Sequence, residues 1–421
     1  MIGDRNPRQE SMFGVYRALD LSDEKGFICG KALADLGADV VKIEPPGGDP
    51  ARNIGPFYHD IPRAEESLYW FAYNANKRGI TLNIETTDGQ KIFKRLVKTA
   101  DFVIESFSPG YLKNLGLDYS VLSQINPGII LASITPFGQS GPYRDHKTVD
   151  IVSMALGGYM YLTGESDRPP VRIGFSQAYL HAGMSAASGA MLAHCYRQLT
   201  GEGQWVDVSI HEACAWIPPD SYIFWEMNQL LEERHGAVRV RPTTGARMRR
   251  IWQCVDGYIS FDLYGGRLAR NFMTPLVAWM AEEGMAPDFL TEIDWATFDY
   301  SAVPADIVDR ISEPVGRFFM GHTKEELWQG GIARRCCIYP VSSPGEVVRS
   351  TQLAERDYWV DLRHDELNCS ITYPGLCIRS SEAKCSLRRR APLIGEHNEE
   401  IYGEIGLSKE ELVVLRQAGV I

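Results

Sequence analysis

The chain has 421 residues, of which 44% are apolar and 23% charged, and this length allows two domains with sizeable cores. Its formal net charge of −11 argues against a nucleic-acid partner or an anionic membrane, because an acidic surface repels both.

The first half of the chain alternates strands with helices. Apolar, β-branched runs predict strands at residues 15–22, 39–44, 79–84, 101–107 and 128–137. Helices are predicted between them, at "FICGKALADLG" and at "GQKIFKRLVKTA", with Asp88 as the predicted N-cap of the second. This alternation predicts a doubly wound, mainly parallel sheet, a Rossmann-like α/β domain whose ligands bind beyond the carboxyl ends of the strands.

The rest of the chain has a different pattern. After a long Ala/Gly-rich helix and a strand, the character changes at about Pro218, and a smaller domain with mixed strands and helices is predicted. The elements expected are the helix at about 178–199, the strand at 205–210, an Arg-dense segment at 234–250, a strand pair around Asp256 and Gly257, a helical region to about 330, a strand and loop at "CCIYPVSSPGEV", and a loop with amphipathic helices at the end.

The cysteines and the apolar runs indicate in which cellular compartment the protein is expected. No apolar run approaches the ~20 residues of a membrane span, and the start of the chain, "MIGDRNPRQESMFG", has no apolar signal core. The nine cysteines are scattered and lack zinc-site spacing. We therefore expect reduced thiols, a cytoplasmic protein, no membrane partner and no metal.

Six segments carry a family resemblance: "ALADLGADVVKIEPPGGDPAR", "NANKRGITLNI", "ESFSPGYLKNLGLDY", "INPGIILASITPFGQSGPY", "RQLTGEGQWVDVSIHEA" and "APLIGEHNEEIYGEIGL". Each is weak alone. Together, in this order over nearly the whole chain, they resemble the class III CoA-transferase family, which includes formyl-CoA transferase and carnitine CoA-transferase. The related 2-methylacyl-CoA racemases share the fold.

The resemblance implies a domain arrangement and an assembly. A large domain would be built from residues 1–217 and 354–421, and a smaller α+β domain from 229–338. The segments 218–228 and 339–353 would be linkers. Two subunits of the family interlock like links of a chain, so an obligate, interlocked dimer is expected.

The resemblance also implies covalent catalysis by a carboxylate. A family Asp attacks the donor thioester and expels CoA. CoA then opens the mixed anhydride to give an aspartyl-CoA thioester, and the acceptor carboxylate collects the CoA. The CoA thioester is thus a substrate, and no permanently bound cofactor is expected.

The nucleophile is missing at the expected place. The family Asp aligns with Tyr179 in "AYLHAG". A phenol, with a pKa near ~10, is largely un-ionised at neutral pH and cannot form the same anhydride, so Tyr179 is interpreted as filling or closing the pocket. The racemases need this Asp and a His that aligns with Val149, so their acid/base pair is missing too. We predict no catalytic residue in this chain.

Other positions of the CoA site are changed or kept. The loop "DEKGF" replaces a family loop that touches the thiol arm of CoA, and Asn114 stands where many members have an Arg. For Lys77 and Arg78, a solvated loop pair is the alternative to phosphate binding. The residues predicted to bind CoA are Arg52, Asn76, Lys77, Arg78, Phe107, Lys113 and Phe137.

Two classes of function follow. The first is a subunit without a functional site in a hetero-oligomeric CoA-transferase that moves CoA between an acyl-CoA and a carboxylic acid. Its paralogous partner would carry the Asp, with two copies of each chain. By analogy with one such enzyme, the substrates would be succinyl-CoA and (R)-benzylsuccinate of anaerobic toluene degradation. The alternative is a self-sufficient acyl-CoA lyase, hydratase or isomerase, or a CoA-ester-binding homodimer without turnover.

The segment 234–250 is a candidate contact with the paralogue, because its arginines would suit an acidic patch. A solvated linker face and a CoA-phosphate patch are the alternatives for it.

Overall fold

The structure of the protein is a computed structural model that describes residues 11–240, 244–300 and 302–421. The first ten residues of the polar N-terminus, and residues 241–243 of the Arg-dense segment, lie outside the described residues. The chain divides into two compact units: the described residues up to 160 with 173–223 and 351–421, and residues 161–172 with 224–350.

A parallel sheet forms the centre of the first unit, and this confirms the predicted fold class. Its strands are β1 (Arg17–Asp20), β2 (Asp39–Glu44), β3 (Arg78–Thr81), β4 (Phe102–Glu105), β5 (Ile130–Thr135) and β6 (Trp205–Ser209). They lie in the order β3-β2-β1-β4-β5-β6, and neighbours pair in parallel. The strand order reverses between β1 and β4, and doubly wound sheets bind ligands at that point.

Helices cover both faces of this sheet. They are α1 (Phe27–Asp35), α2 (Leu68–Asn74), α3 (Thr87–Val97), α4 (Tyr111–Asn114), α5 (Tyr119–Ile125), α6 (Asp150–Leu156), α7 (Gln177–Thr200) and α8 (Ile210–Ala215). One core contains residues of α1 and α7, and another contains residues of α3 and α5. Near-complete burial of β1 to β5 is typical of a parallel sheet covered on both faces, and it also buries charged residues of these strands, such as Lys42, Glu44 and Glu105.

One predicted helix cap is wrong. Helix α3 is capped by Thr86, whose hydroxyl oxygen accepts the backbone N–H of Gly89 at 3.0 Å. Asp88 lies inside the first turn and does not cap it. Thr86 has the extended backbone that an N-cap requires, so its side chain reaches the free N–H groups first.

Close packing of α1 on α7 explains the Ala/Gly-rich sequence of α7. A Cβ atom at Gly183 would lie 2.1 Å from Cγ2 of Ile28 and 3.4 Å from the backbone N of Cys29. Only glycine therefore allows the two helices to approach this closely without displacing Ile28.

The second unit is built from small antiparallel sheets and helices. Helix α9 (Pro219–Asn228) contains residues of both units. The predicted strand pair around Asp256 and Gly257 is confirmed as β9 and β10, which pair antiparallel. Strands and helices that follow α9 are β7 (Val238–Val240), β8 (Arg247–Arg249), β9 (Ile251–Cys254), β10 (Gly257–Ser260), α10 (Gly266–Glu282), α11 (Asp288–Glu292), α12 (Ala305–Met320), α13 (Lys324–Arg334), β11 (Tyr339–Pro340) and α14 (Pro344–Val348).

The end of the chain returns to the first unit. The predicted amphipathic helices at the end are confirmed, whereas an antiparallel hairpin before them was not predicted. The elements are α15 (Thr351–Glu355), β12 (Trp359–His364), β13 (Cys369–Pro374), α16 (Asn398–Glu404) and α17 (Lys409–Gln417). In the described ranges, no helix combines the length and the apolar character that crossing a membrane requires.

Candidate functional site at the start of helix α7

Tyr179 lies in the first turn of α7, at the carboxyl edge of the parallel sheet. Helix α7 leads into β6, which runs parallel to β5, so the helix must begin at that edge. Helix α1 follows β1 directly and begins at the same edge. The Tyr179 side chain is 8% exposed and belongs to the core between α1 and α7.

Asp150 holds the first turn of α7 in place. Its Oδ1 atom accepts the backbone N–H of Ala178 at 2.8 Å and that of Tyr179 at 3.4 Å. The carboxylate is buried, and it lies where the free N–H groups and the dipole of the helix favour a negative charge. The sequence did not reveal this capping role, because 28 residues separate Asp150 from Ala178.

The environment of Tyr179 keeps its phenol neutral. Burial raises the pKa of Tyr179 well above its usual range, and the carboxylates of Glu24, Asp23 and Asp150 raise it further. Ionisation would place a negative charge in a buried site that already holds carboxylates. This environment therefore does not activate the phenol, because a neutral phenol is a weaker nucleophile than a phenolate.

The loop "DEKGF" supplies two of these carboxylates. Asp23 is held by Ser106, which accepts its backbone N–H at 2.8 Å and donates its hydroxyl to Oδ1 at 2.7 Å. This contact joins the loops that follow β1 and β4. Lys25 forms an ion pair with Asp23, whereas Glu24 is half-buried, and burial together with Asp23 raises the pKa of Glu24.

Val149 lies directly before α6, at its N-cap position, and is 57% exposed. Its alkyl side chain cannot accept or donate a proton. A pair of titratable groups flanking a substrate carbon is therefore not formed by Val149 and Tyr179.

Arg52 is engaged by the protein itself. Its guanidinium binds both carboxylate oxygens of Glu44, at 2.6 and 2.8 Å, and Glu65 at 2.7 Å. It also donates to the carbonyl oxygen of Pro392 and lies over the ring of Trp70, 3.9 Å from the centroid. These contacts give Arg52 a structural role in tying the chain's end to the loop after β2.

Lys77 is completely buried, with 0% exposure. Its ammonium group donates to Asp20 at 2.7 Å, to Asn74 Oδ1 at 2.9 Å and to the carbonyl oxygen of Phe27 at 3.0 Å. An ammonium group has three donors, so these contacts use all of them. The alternative of a solvated loop residue is therefore wrong for Lys77.

Asn76 and Arg78 are also buried and occupied. The Asn76 amide donates to Asp35 at 2.8 Å, and its backbone φ of 69° lies in the left-handed region that Asn tolerates. Arg78 donates to Asp39 and Glu404, each at 2.8 Å. A solvated position is wrong for Arg78 as well, and contact of these residues with a cofactor stays a prediction.

The three other predicted CoA-binding residues are more accessible. Phe107 stacks on Tyr111 with centroids 4.6 Å apart, and the half-buried Phe137 ring contacts His211 at 5.6 Å. Lys113 is exposed on α4 and lines a cavity of about 410 Å³. The structure therefore does not collect the predicted residues in one place, and Lys113 is the cation among them that remains available to an external anion.

The parallel sheet, whose strand order reverses between β1 and β4, defines a doubly wound α/β protein, and its candidate site lies at the start of α1 and α7. The sequence profile of CoA-transferase family III matches residues 19–398, and the chain belongs to this family. This membership indicates CoA transfer as the activity in which the chain takes part.

Individual proteins extend the match over nearly the whole chain. The subunit BbsE of succinyl-CoA:(R)-benzylsuccinate CoA-transferase from Thauera aromatica is 35% identical over 412 residues, which is 97% of this chain and 98% of that subunit. Succinyl-CoA–D-citramalate CoA-transferase from Chloroflexus aurantiacus is 32% identical, with 94% of each chain covered. A crystal structure of a CaiB/BaiF family protein from Brucella suis has a TM-score of 0.78 at 28% identity, over 93% of this chain and 98% of that one.

Proposed function

We propose that this chain is the non-catalytic subunit of a hetero-oligomeric family III CoA-transferase. The observation that carries the proposal is the side chain of Tyr179, a buried, neutral phenol at the position aligned with the family's nucleophilic Asp. Acyl transfer of this type needs a carboxylate whose mixed anhydride can be opened again by a thiolate. A neutral phenol among carboxylates supplies neither the charge nor the anhydride.

The partner that we propose is a paralogous chain with Asp at this position, in an interlocked assembly with two copies of each chain. BbsE, which is similar over nearly its whole length, is itself named as a subunit of a CoA-transferase. Exposed apolar side chains around α9 also favour a covering partner, since exposed apolar patches commonly mark protein–protein contacts. They include Trp216 at 80%, Met227 at 74%, Ile223 at 59% and Trp225 at 48% exposure.

The substrates that we propose are succinyl-CoA as donor and an aromatic dicarboxylate of the benzylsuccinate type as acceptor. The names of BbsE and of the Chloroflexus relative support succinyl-CoA, and BbsE alone supports the aromatic acid. CoA would enter as a thioester substrate. We place the reaction in the cytoplasm, on the basis of the scattered, odd-numbered cysteines.

Co-expression with the Asp-bearing paralogue tests this proposal. Native mass spectrometry should show equal numbers of the two chains, and transfer from succinyl-CoA should appear only in the mixture. Intact-mass analysis after incubation with succinyl-CoA should show the acyl adduct on the paralogue. An adduct on this chain alone, or a well-folded homodimer that ignores the paralogue, would refute the proposal.

A second candidate function is favoured by Glu24. This carboxylate lies in the electrostatic environment of Tyr179, and burial with Asp23 raises its pKa, as is common for acid/base groups. A self-sufficient enzyme could use it on an acyl-CoA. In that case the isolated chain would turn over an acyl-CoA, and Glu24→Gln would abolish turnover while leaving the thermal unfolding temperature within about 2 °C of the unmodified value.

A further inference from the structure

A cavity of about 560 Å³ lies within the second unit, between α10 and the segment formed by α11 and the turn that follows it. Arg270, Thr274 and Val277 line it from α10, where spacings of four and three residues place them on one face of the helix. Leu290 of α11 and Trp295 of the turn line it as well. The lining residues all belong to the second unit, whereas Tyr179 and the predicted CoA-binding residues belong to the first.

The buried part of the cavity wall is apolar. Val277, Leu290 and Trp295 are buried and belong to the core of the second unit, and the half-buried Ile293 packs against that core. Small-ligand sites commonly combine such a wall with a few polar groups. The indole of Trp295 also offers a surface on which an aromatic ring packs favourably. The wall is therefore suited to the apolar, aromatic body of a ligand.

The indole N–H of Trp295 is a buried donor without an acceptor. In the described ranges, its Nε1 atom has no hydrogen-bond partner. By contrast, Trp252 and Trp279 of the same unit each donate at 2.7 Å, to the carbonyl oxygen of Phe261 and to Glu283. A buried indole N–H that lacks an acceptor is destabilising, so an acceptor supplied by a ligand would be favourable at Trp295.

Arg270 is an exposed cation of the same cavity, and it forms no ion pair within the part of the chain that the structure describes. Asp294, the acidic lining residue, is held by its own turn. Its oxygens accept the backbone N–H of Ala296 at 3.1 Å and the hydroxyl of Thr297 at 3.0 Å. A guanidinium binds a carboxylate through two parallel hydrogen bonds. The free cation and the unpaired N–H are therefore both complementary to a carboxylate.

We propose that this cavity binds a short carboxylic acid that carries an aryl group. Its carboxylate accepts hydrogen bonds from Arg270 and from the indole N–H of Trp295, and its ring packs on the apolar wall. The volume of about 560 Å³ is in the range of small-ligand sites. Inorganic phosphate would match Arg270 but would leave the apolar wall uncovered. The site rests on residues of the second unit alone and does not depend on the proposed CoA transfer.

Isothermal titration of the full chain with 3-phenylpropanoate and with 3-phenylpropanamide tests the role of the charge. The amide has the same ring and nearly the same size but no negative charge. We expect it to bind about tenfold more weakly, because hydrogen bonds from a guanidinium to a carboxylate are stronger than those to a neutral oxygen. Equal binding of the two compounds, or no binding of 3-phenylpropanoate at millimolar concentration, overturns the proposal.

Arg270→Ala locates the carboxylate. This variant should weaken the binding of 3-phenylpropanoate about tenfold and leave that of 3-phenylpropanamide unchanged. The matched control is Arg317→Ala, which removes an exposed arginine that pairs with Glu313 on α12, and it should alter the binding of neither compound. Equal effects of the two variants would show unspecific attraction to positive charge and would contradict the assignment.

Trp295→Phe tests the indole donor. It keeps an aromatic ring but removes the N–H, and no hydrogen bond of the free chain is lost, since this N–H has no partner in the described ranges. The affinity for 3-phenylpropanoate should fall about three- to tenfold. An unchanged affinity would refute the contact. If this variant does not fold, the comparison of Arg270→Ala with Arg317→Ala still decides whether the cavity binds the carboxylate.

Nitrogen-15 NMR of the indole groups reports on the same contact directly. The indole signal that is missing from the spectrum of Trp295→Phe belongs to Trp295, and its proton should move to lower field when 3-phenylpropanoate is added to the unmodified chain. A signal that stays in place at saturation would contradict the proposed hydrogen bond. The mass-spectrometric test of the subunit role involves no ligand of this cavity, so the two proposals can fail separately.

Discussion

Replacing Lys77 with Met separates a structural role of this residue from a role in cofactor binding. The change removes the ammonium group but keeps most of the side-chain volume. It leaves Asp20, which is completely buried, without the partner at 2.7 Å. It also removes the donor to the carbonyl of Phe27 and to Asn74.

The expected loss of stability can be worked from these contacts. Removing one partner of a buried ion pair costs about 3–5 kcal/mol, because the remaining charge stays in a poorly solvated site. Ser22 still donates two hydrogen bonds to Asp20, at 2.6 and 3.0 Å, and Lys42 remains nearby. We therefore expect the lower part of this range, about 3 kcal/mol.

Urea unfolding followed by circular dichroism provides the measurement. With a slope of about 3 kcal/mol per M, the midpoint of the first unit should fall by about 1 M. Lys113→Met is the matched control, since it removes an exposed lysine of the same predicted set and should shift stability by less than about 0.5 kcal/mol. The double variant Asp20→Asn with Lys77→Met should recover part of the loss, because it removes both charges.

The opposite pattern would refute this interpretation. If Lys77→Met unfolds like the unmodified chain but loses affinity for CoA, Lys77 exchanges its internal partners for a phosphate, and the sequence-based prediction is correct.

Three further predictions follow from the same structure. Tyr179→Asp should give no acyl adduct by intact-mass analysis, because Glu24 and Asp23 oppose a further negative charge; an adduct formed as readily as in an intact family member would contradict this. Because the pKa of Glu105 is raised from 4.5 to about 7, its contribution to stability is present below pH about 4.5 and is lost as the pH rises through about 7. The effect of Glu105→Gln on the free energy of unfolding should therefore be more favourable at pH 8 than at pH 4, by about 3 kcal/mol. An equal effect at both pH values would be evidence against the raised pKa. Gly183→Ala should lower stability by about 1–3 kcal/mol, since its Cβ would meet Ile28 at 2.1 Å; an unchanged unfolding midpoint would show that α1 can shift freely.

Much of the fold could be predicted from local sequence. Residues 39–44 were predicted as a strand with the same bounds as β2, because the β-branched residues Val40, Val41 and Ile43 favour a strand. The hairpin of β12 and β13 was missed. Most positions of its strands alternate exposed with buried or half-buried side chains, and Asp361 and Arg363 interrupt the apolar residues of β12, so the pattern resembles a loop until the pairing is known.

The candidate site also has one feature that the sequence predicts and others that it does not. The replacement of the expected carboxylate by Tyr179 concerns the identity of one residue, so the sequence alone is enough to find it. The capping of α7 by Asp150 and the approach of Glu24 could not be predicted, because both depend on how α1, α6 and α7 meet at the edge of the sheet.

The sequence by itself determined the family, the parallel α/β domain and the presence of Tyr179 in place of the expected Asp, since these depend on patterns within short segments and on single residue types. Only the tertiary structure decided which charged groups already have partners within the protein. Lys77 and Asp20 are 57 residues apart, and Arg52 and Pro392 are 340 residues apart, yet each pair is in hydrogen-bond contact. Whether a cation binds a cofactor or a buried carboxylate depends on which distant segment folds against it, and the same burial raises the pKa of Glu105 to about 7.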